Sequence, residues 1–600
     1  MNPRSTWRWI TVAAVLLAFI FVHHRYLRKT SVGPIKVLPN LDATAAASVQ
    51  VRPEARMEIR AERTNGIWQL TEPISYPAQG ASIEKLLSEL EQLTPAPYIT
   101  ARELRGRLKT DEEYGFATPQ ASIIIEQPGY STRLRVGAKT APGDQVFLQV
   151  IGVEGVYVVD AAFLKHLPQT PDDWRDTALI DLKGLAFDRL AVTNGTKIFE
   201  LRRDGTNKVW RMVYPLQARA NNAKAEESLE MLRSVRVRQF VPGAARTDLE
   251  AFGLQPAELE LTLELGTNPV ARLQFGRTLT NDTRLVYGRR LGLNAIVAVP
   301  KDLLAPWYAQ VNDFRDPFLI TLTAPAAVIE VRGPDNFSLV QQTNDTWRVL
   351  PQDLPADTGL VKELLAALSG LQIVEFTKDV VIPPDLPAYG LAPPAQQYIL
   401  KSVATDSTAG RTNTIIAQLD FGTNQADKVF ARRADESSIY AVRFADFQRL
   451  PTASWEMRAR RIWSFSTNDV ARVTIRQQGR VLQMVRSGPY DWSLALGSQG
   501  TIKNVLAVEE TMRGLCQLTA VAWVACGDQN RARYGFTDDG QRVTIELKQG
   551  TPPLTVEFSS QASPNSPYAA VTLDGRLWIF QFPTWLYDYV QRYLSVPPSP

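Results

Sequence analysis

An α+β module repeated four times behind one apolar N-terminal segment is the fold this 600-residue sequence predicts. Three observations predict it. A tryptophan and an aromatic–glycine pair recur in step along the chain, an apolar helical stripe lies between them, and alternating strands stand on either side.

The step is regular. The tryptophans are Trp68, Trp210, Trp347 and Trp492, and the pairs are Tyr114-Gly115, Phe252-Gly253, Tyr389-Gly390 and Tyr534-Gly535. Tryptophan to glycine spans 47, 43, 43 and 43 residues, and successive glycines are 138, 137 and 145 apart. Each tryptophan is read as closing a strand of a hairpin with a polar turn, as in MEIRAERTNGIWQL and FSLVQQTNDTWRVL. A helix follows, with Ile83, Leu86, Leu87, Leu90 and Leu93 on one face in the first copy and Val361, Leu364, Leu365 and Leu368 in the third. The fourth offers Ile502, Val505, Leu506 and Met512, and the second Leu229, Leu232 and Val235.

The glycine of each aromatic pair is expected at positive φ, and Pro119, Pro256 and Pro393 stop the chain before the next strand. Strands such as residues 258–265 and 543–547 alternate, and Gly137, Gly276 and Gly422 close this pair, with Ser559 in the fourth copy. The third copy carries a polar insertion near 402–414. Two further strands and a short helix complete each unit, and the joints hold Trp174-Arg175-Asp176, Phe314-Arg315-Asp316 and the degraded Met457-Arg458-Ala459.

The reading is four ββαββββα-like modules of about 140 residues, at 48–183, 184–322, 323–465 and 466–600, stacked by short joints into an elongated array. Ahead of them, Trp9–Val22 is uncharged and apolar, with Arg4 and Arg8 before it and Arg25, Arg28 and Lys29 after it. With no small-x-small cleavage site following, residues 1–29 read as a cytoplasmic tail and transmembrane signal anchor, and 30–47 as an extended spacer.

Chemistry is sparse. Sixty-six Lys and Arg against 62 Asp and Glu leave a net charge of +4 with no basic stripe, so no nucleic-acid partner is expected. The three histidines are His23, His24 and His166, too few for a His-based triad or zinc centre. Ser82-Ile83-Glu84-Lys85 matches S-x-x-K, but without S-D-N or K-T-G a helix-capping role for Ser82 explains it better. Asp111-Glu112-Glu113 and Asp538-Asp539-Gly540 lack calcium-loop spacing and read as solvated turns. Cys516 and Cys526 fit either a disulfide or two small apolar residues. No catalytic, metal or cofactor residue is assigned. The recurring aromatics read as core or corner residues before a carbohydrate platform, and the Arg-Asp pairs as braces between modules.

The W-x-L/V-x-x-P-like strand end, the LL-rich helix, the Y-G-F/L-x-x-P corner and the closing R-D resemble those of a bacterial domain-of-unknown-function family. Its members are membrane-anchored envelope proteins whose genes often neighbour gliding-type ABC transporter genes. Trp68, Leu86, Leu87, Tyr114, Gly115, Pro119, Gly137, Arg175, Asp176 and their later counterparts carry the resemblance over residues 48–600. The fourth copy departs most, with Asp539 at the corner proline and Ser559 for glycine. What the resemblance implies is a non-enzymatic accessory of an ABC-type transport system. Its expected partners are inner-membrane permease, ATPase and auxiliary subunits, with the body facing the periplasm. The alternative is an extracytoplasmic binding module for glycan, lipid or peptide.

Overall fold

The computed structural model describes residues 14–17 and 36–596, apart from 55, 106, 108, 243–248, 323, 407–409, 549 and 561–566. The expected anchor therefore falls outside the described residues except for Ala14–Leu17, one exposed helical turn. No helix among the described residues is long and apolar enough to cross a membrane. The chain divides into two units, Met1–Arg315 and Asp316–Pro600, each carrying two antiparallel sheets.

The first sheet shows the construction. Its strands are β1 (Ser48–Pro53), β2 (Ile59–Thr64), β3 (Ile67–Glu72), β4 (Tyr76–Pro77), β5 (Tyr98–Ile99), β6 (Ala121–Gln127), β7 (Tyr130–Lys139), β8 (Gln145–Val150) and β9 (Val156–Asp160). They lie side by side in the order β4-β3-β2-β1-β6-β7-β8-β9-β5. Helix α1 (Gly80–Gln92) follows the edge strand β4, and the chain regains the sheet at the opposite edge, β5. The second and third sheets repeat this nine-stranded order, while the fourth has eight strands and lacks the counterpart of β4. The matching helices are α2 (Asn222–Ser234), α3 (Thr358–Ser369) and α4 (Val505–Cys516).

Each module thus holds more strands than the two-then-four that alternation predicts. The leading strand β1, ahead of the expected hairpin, sits centrally between β2 and β6. β4 and β5 are two residues long, below the reach of any periodicity. The tryptophan opens its strand rather than closing it, as Trp210–Tyr214 and Trp347–Leu350 show. The polar insertion of the third copy lengthens both arms of one hairpin, Gln396–Asp406 and Gly410–Gln425. The closing helix is 3₁₀ in the first two modules (Ala161–His166, Lys301–Tyr308) and one α-turn in the third (Phe444–Phe447). In the fourth it is a ten-residue α-helix, α5 (Thr584–Tyr593).

Burial follows the period-2 and period-3.6 patterns. Ile123, Ile125, Leu134, Val136, Val146 and Leu148 bury one sheet face against Ile83, Leu86, Leu87 and Leu90 of α1. Each such side chain taken fully from water contributes about 1.5–3 kcal/mol. The alternate face carries charge, as where Arg189 pairs with Glu200 and, at 3.4 Å, with Glu264. The expected spacer is extended only in name from Lys36 on: Val37, Leu38, Leu41 and Ala46 are buried in the first core, and Val37 N–H donates to Leu93 O at 2.9 Å. Apolar spacing in VLPNL supplied that docking.

The aromatic–glycine corner links the far-edge strand to the sheet centre. Gly115, Gly253, Gly390 and Gly535 all take positive φ, between 66° and 78°. The strand that the corner meets is bulged at one place in the first three modules, between Val136 and Lys139, Phe275 and Thr278, and Phe421 and Asn424. Gly137, Gly276 and Gly422 occupy those bulges, and a Cβ there would lie inside the carbonyl oxygen of Tyr114, Phe252 or Tyr389. The next amide bonds that carbonyl: Ala138 N–H to Tyr114 O at 2.8 Å and Arg277 N–H to Phe252 O at 2.9 Å. In the fourth module Ser559 replaces the glycine, and its hydroxyl donates to Tyr534 O at 2.5 Å. A serine thus keeps the same carbonyl by a different bond.

Gly276→Ala forces the corner off the bulge and should cost the protein about 2 kcal/mol or more, whereas Ser559→Ala removes the hydroxyl that bonds Tyr534 O and should cost about 1 kcal/mol. Urea unfolding of the two variants, followed by tryptophan fluorescence, checks both values; equal losses would contradict the glycine's role.

Candidate functional site

The repeated tryptophan is the centre of a polar cluster that the sequence reading missed. Directly across the hairpin from Trp68, Trp210 and Trp492 stand Arg63, Arg203 and Arg486. The fifth residue of the following helix supplies Glu84, Glu226 or Glu509. In the fourth module Glu509 accepts from Arg486 at 2.6 Å and from Trp492 Nε1 at 2.9 Å. Arg486 also donates to the carbonyls of Gly488, at 3.2 Å, and Thr467. Both charged side chains are buried, at 2% and 5% exposure. In the second module Glu226 accepts from Trp210 Nε1 at 2.7 Å and from Arg203, whose guanidinium lies over the indole at 4.6 Å. The first module is looser: Arg63 meets Glu84 at 3.4 Å and lies 5.6 Å from the Trp68 ring. The third places Gln341 opposite Trp347 and Lys362 on the helix, so the charge set is lost there. The signal was available as an arginine five to seven residues before each of three tryptophans and a glutamate sixteen or seventeen after.

A second recurring set lies at the joints, where the arginine takes a carboxylate other than the aspartate expected beside it. Arg175 pairs with Asp172 at 2.8 Å and spreads over Phe240 of the second module, 4.7 Å from the ring centre. Tyr76 of β4 enters the second core and meets Phe240 edge-on at 5.4 Å. Burial, with Asp176 nearby, pushes the Tyr76 phenol up to about 12, and burial draws Arg175 down from its usual value. In the other unit Arg458 lies 4.1 Å from the Trp578 ring and bonds Asp574 at 3.3 Å. Trp523 Nε1 in turn donates to Arg458 O at 3.2 Å, and burial lowers Arg458 as well. Leu354, the counterpart of Tyr76, packs against the fourth core. Asp176 and Asp316 turn the chain onward, accepting from Ala178 N at 2.9 Å and Phe318 N at 3.0 Å.

A third feature is a groove beside the module helix in the second and third copies. It takes about 380 Å³ in the second module, lined by Lys224, Glu227, Ser228 and Met231 with Pro306. In the third it takes about 370 Å³, where Leu360, Glu363, Leu364 and Ala367 stand at the same four helix positions, facing Arg449 and Pro451. Burial raises the Glu456 carboxyl at its rim. In the first module Glu89 holds the Met231 position and pairs with Lys85 and His166, both at 3.3 Å. In the fourth that position is Gly514, pressed by Trp585 and Leu586 of α5.

The residues singled out in the sequence are dispersed. Ser82 lies within α1, not at its start: the cap is Gln79, without a side-chain bond, and its N–H donates to Trp174 O at 2.7 Å. The expected cap is corrected accordingly, because the joint itself occupies the helix end. Glu112 pairs with Lys109 at 3.0 Å, and Asp538 with Arg542 at 3.6 Å. Cys516 and Cys526 are both free, and burial pushes Cys516 up to about 12. The corner aromatics pair on the face away from the helix: Tyr114 with Phe147 at 4.8 Å, Phe252 with Tyr287 at 4.7 Å, Tyr389 with Phe430 at 5.0 Å and Tyr534 with Tyr568 at 5.3 Å. Among the described residues no three His, Cys, Asp or Glu side chains are grouped to hold a metal ion.

Glu509→Ala strands a buried arginine and should cost about 3–5 kcal/mol, while Glu84→Ala should cost less than about 1 kcal/mol; chemical unfolding of the two variants measures the gap. Arg458→Ala should loosen the last joint by about 2 kcal/mol through lost ring contact and packing. Limited proteolysis near residues 458–468 reads that loosening, and Arg458→Lys should restore only part of the resistance.

A family described as a domain of unknown function, DUF4340, matches residues 68–248, 210–394 and 347–537, overlapping spans that each begin at a module tryptophan. No curated protein matches the chain. The matched spans cover most of the sequence, and the chain belongs to the DUF4340 family.

Proposed function

We propose that this member of the DUF4340 family is a non-enzymatic, membrane-anchored scaffold or auxiliary subunit of an ABC-type transport system. In this reading the N-terminal apolar run Trp9–Val22 spans the inner membrane and the modules face the periplasm. The observation that carries it is how the recurring polar side chains are spent. Arg486, Glu509 and Trp492 satisfy one another inside a module, and Arg175 and Arg458 brace one module to the next. Repetition of that kind supports a rigid platform that presents surfaces to partners. The sheet faces away from the helices, laced with pairs such as Arg189–Glu264 and Gln274–Glu260 (2.6 Å), offer polar area for such contacts.

A second reading, a binding module for glycan, lipid or peptide, draws on the grooves of the second and third modules, which fall at the same helix positions. It places a ligand beside Met231 or Ala367.

Affinity capture of the tagged full-length protein from gently solubilised native membranes, analysed by mass spectrometry, tests the first reading. ABC permease and ATPase subunits in near-equal amounts are expected. Intact protein recovered without them would contradict the accessory role and favour the grooves as ligand sites.

A further inference from the structure

The outer edge of the tryptophan strand is covered in three modules and bare in the fourth. Gln69 and Leu70 pair with Pro77 and Tyr76, Arg211 and Met212 with Arg219 and Ala218, and Trp347–Val349 with Leu354–Ala356. The segment that ends each of these modules then adds a bridge beside the cover, Ala78 to Arg175, Ala220 to Arg315 and Ala356 to Arg458. The cover is also where modules join, since Tyr76 and Leu354 reach from it toward the following core.

The fourth sheet instead ends on its tryptophan strand, Asp491–Leu494, and among the described residues no strand pairs with the outer side. The chain turns back onto the inner neighbour, with Ala495 N–H donating to Gln483 O at 3.0 Å and Gln499 N–H to Val481 O at 2.9 Å. Apolar side chains surround the edge. Tyr490 and Leu494 are exposed, Leu496 stands clear of the protein, and Leu506 is 66% exposed where the sister helices carry Ala81, Ala223 and Gly359. From Gly488 to Ile502 the one charged residue is Asp491. A bare strand edge with apolar flanks and no lysine or arginine to repel another strand is built for pairing.

We propose that this edge joins two copies of the chain, strand against strand and antiparallel about a two-fold axis through Ser493. Directly opposed residues of an antiparallel pair share a face. Centring on Ser493 therefore sets Trp492 of one copy opposite Leu494 of the other, and Asp491 opposite Ala495. No like charges meet, and the register covers Leu494. The same surface cannot propagate further, because an isologous contact closes on itself. It extends across two chains the use that the first and third modules make of this edge within one chain.

The test is the mass of the purified full-length protein in detergent by size exclusion with light scattering, beside two variants. A dimer is expected at micromolar concentration. Leu494→Lys combined with Leu496→Lys should weaken it at least tenfold. Ser493→Cys in a Cys526→Ser background should cross-link on mild oxidation, because opposed Cα atoms about 4.5–5.5 Å apart lie within disulfide reach. Circular dichroism establishes that the variants fold; if the lysine variant does not, the Ser493→Cys result decides. A monomer at tens of micromolar, an open-ended polymer, a dimer indifferent to the lysines, or a cysteine variant that stays uncross-linked would overturn the proposal.

Discussion

A carbonyl oxygen pressed against a strand that has no Cβ is the contact on which each of the first three modules turns. The chain leaves one edge of the sheet through a helix and reaches the other edge at a strand as short as two residues. It must then return to the centre to lay down the strand beside β1. The aromatic–glycine corner makes that return, and Tyr114, Phe252 or Tyr389 plants its carbonyl in the bulge of the neighbouring strand. Two glycines are required at once: one for positive φ at the corner, one for close approach at the bulge. The ring of the corner residue, facing away from the helix, packs on an aromatic two strands on, so the crossing is fixed on both sides of the sheet.

Divergence among the copies shows which parts the construction tolerates losing. Ser559 holds the corner by its hydroxyl where a glycine would have held it by absence of a side chain. The third module keeps its tryptophan but replaces the arginine and glutamate around it with Gln341 and Lys362, and its core still closes on Trp347. The buried pair of the fourth module is therefore an addition to the plan, not its foundation. An ion pair so deep stabilises little on balance, since desolvation offsets most of the attraction, but it fixes which way the indole points. The helix position beside the groove varies in the same manner, held by Glu89 with its partners in one copy and by Gly514 against α5 in another.

Much of this was legible in the residues, for identifiable reasons. The tryptophans, corner pairs and bulge glycines are chemically rare and evenly spaced, so repetition alone exposed them. The helices were legible because Ile83, Leu86, Leu87 and Leu90 fall on one face. Hidden were the elements too short to carry a period, β4 and β5, and the leading strand, whose alternation rests on two apolar residues alone, Val49 and Val51. The Ser82 cap was misplaced because an ordinary capping residue near a helix start says nothing of a distant segment that satisfies the helix end instead. Of the candidate sites, the joint arginines were visible through their neighbours in sequence. The Arg–Trp–Glu cluster showed only as a spacing around three of the tryptophans, since its members come together across a hairpin and a helix.

In the first, second and fourth modules the corner and the strand it meets form one locked unit, joined by an amide of that strand. Native-state hydrogen exchange at the amides of Ala138, Arg277 and Ser560 measures this most directly, because each donates into the corner, to Tyr114, Phe252 and Gly535. All three should exchange as slowly as the central strand amides of their own sheets. Exchange within seconds, while those strands remain protected, would mean that the corner opens freely and that something else holds the crossing in place.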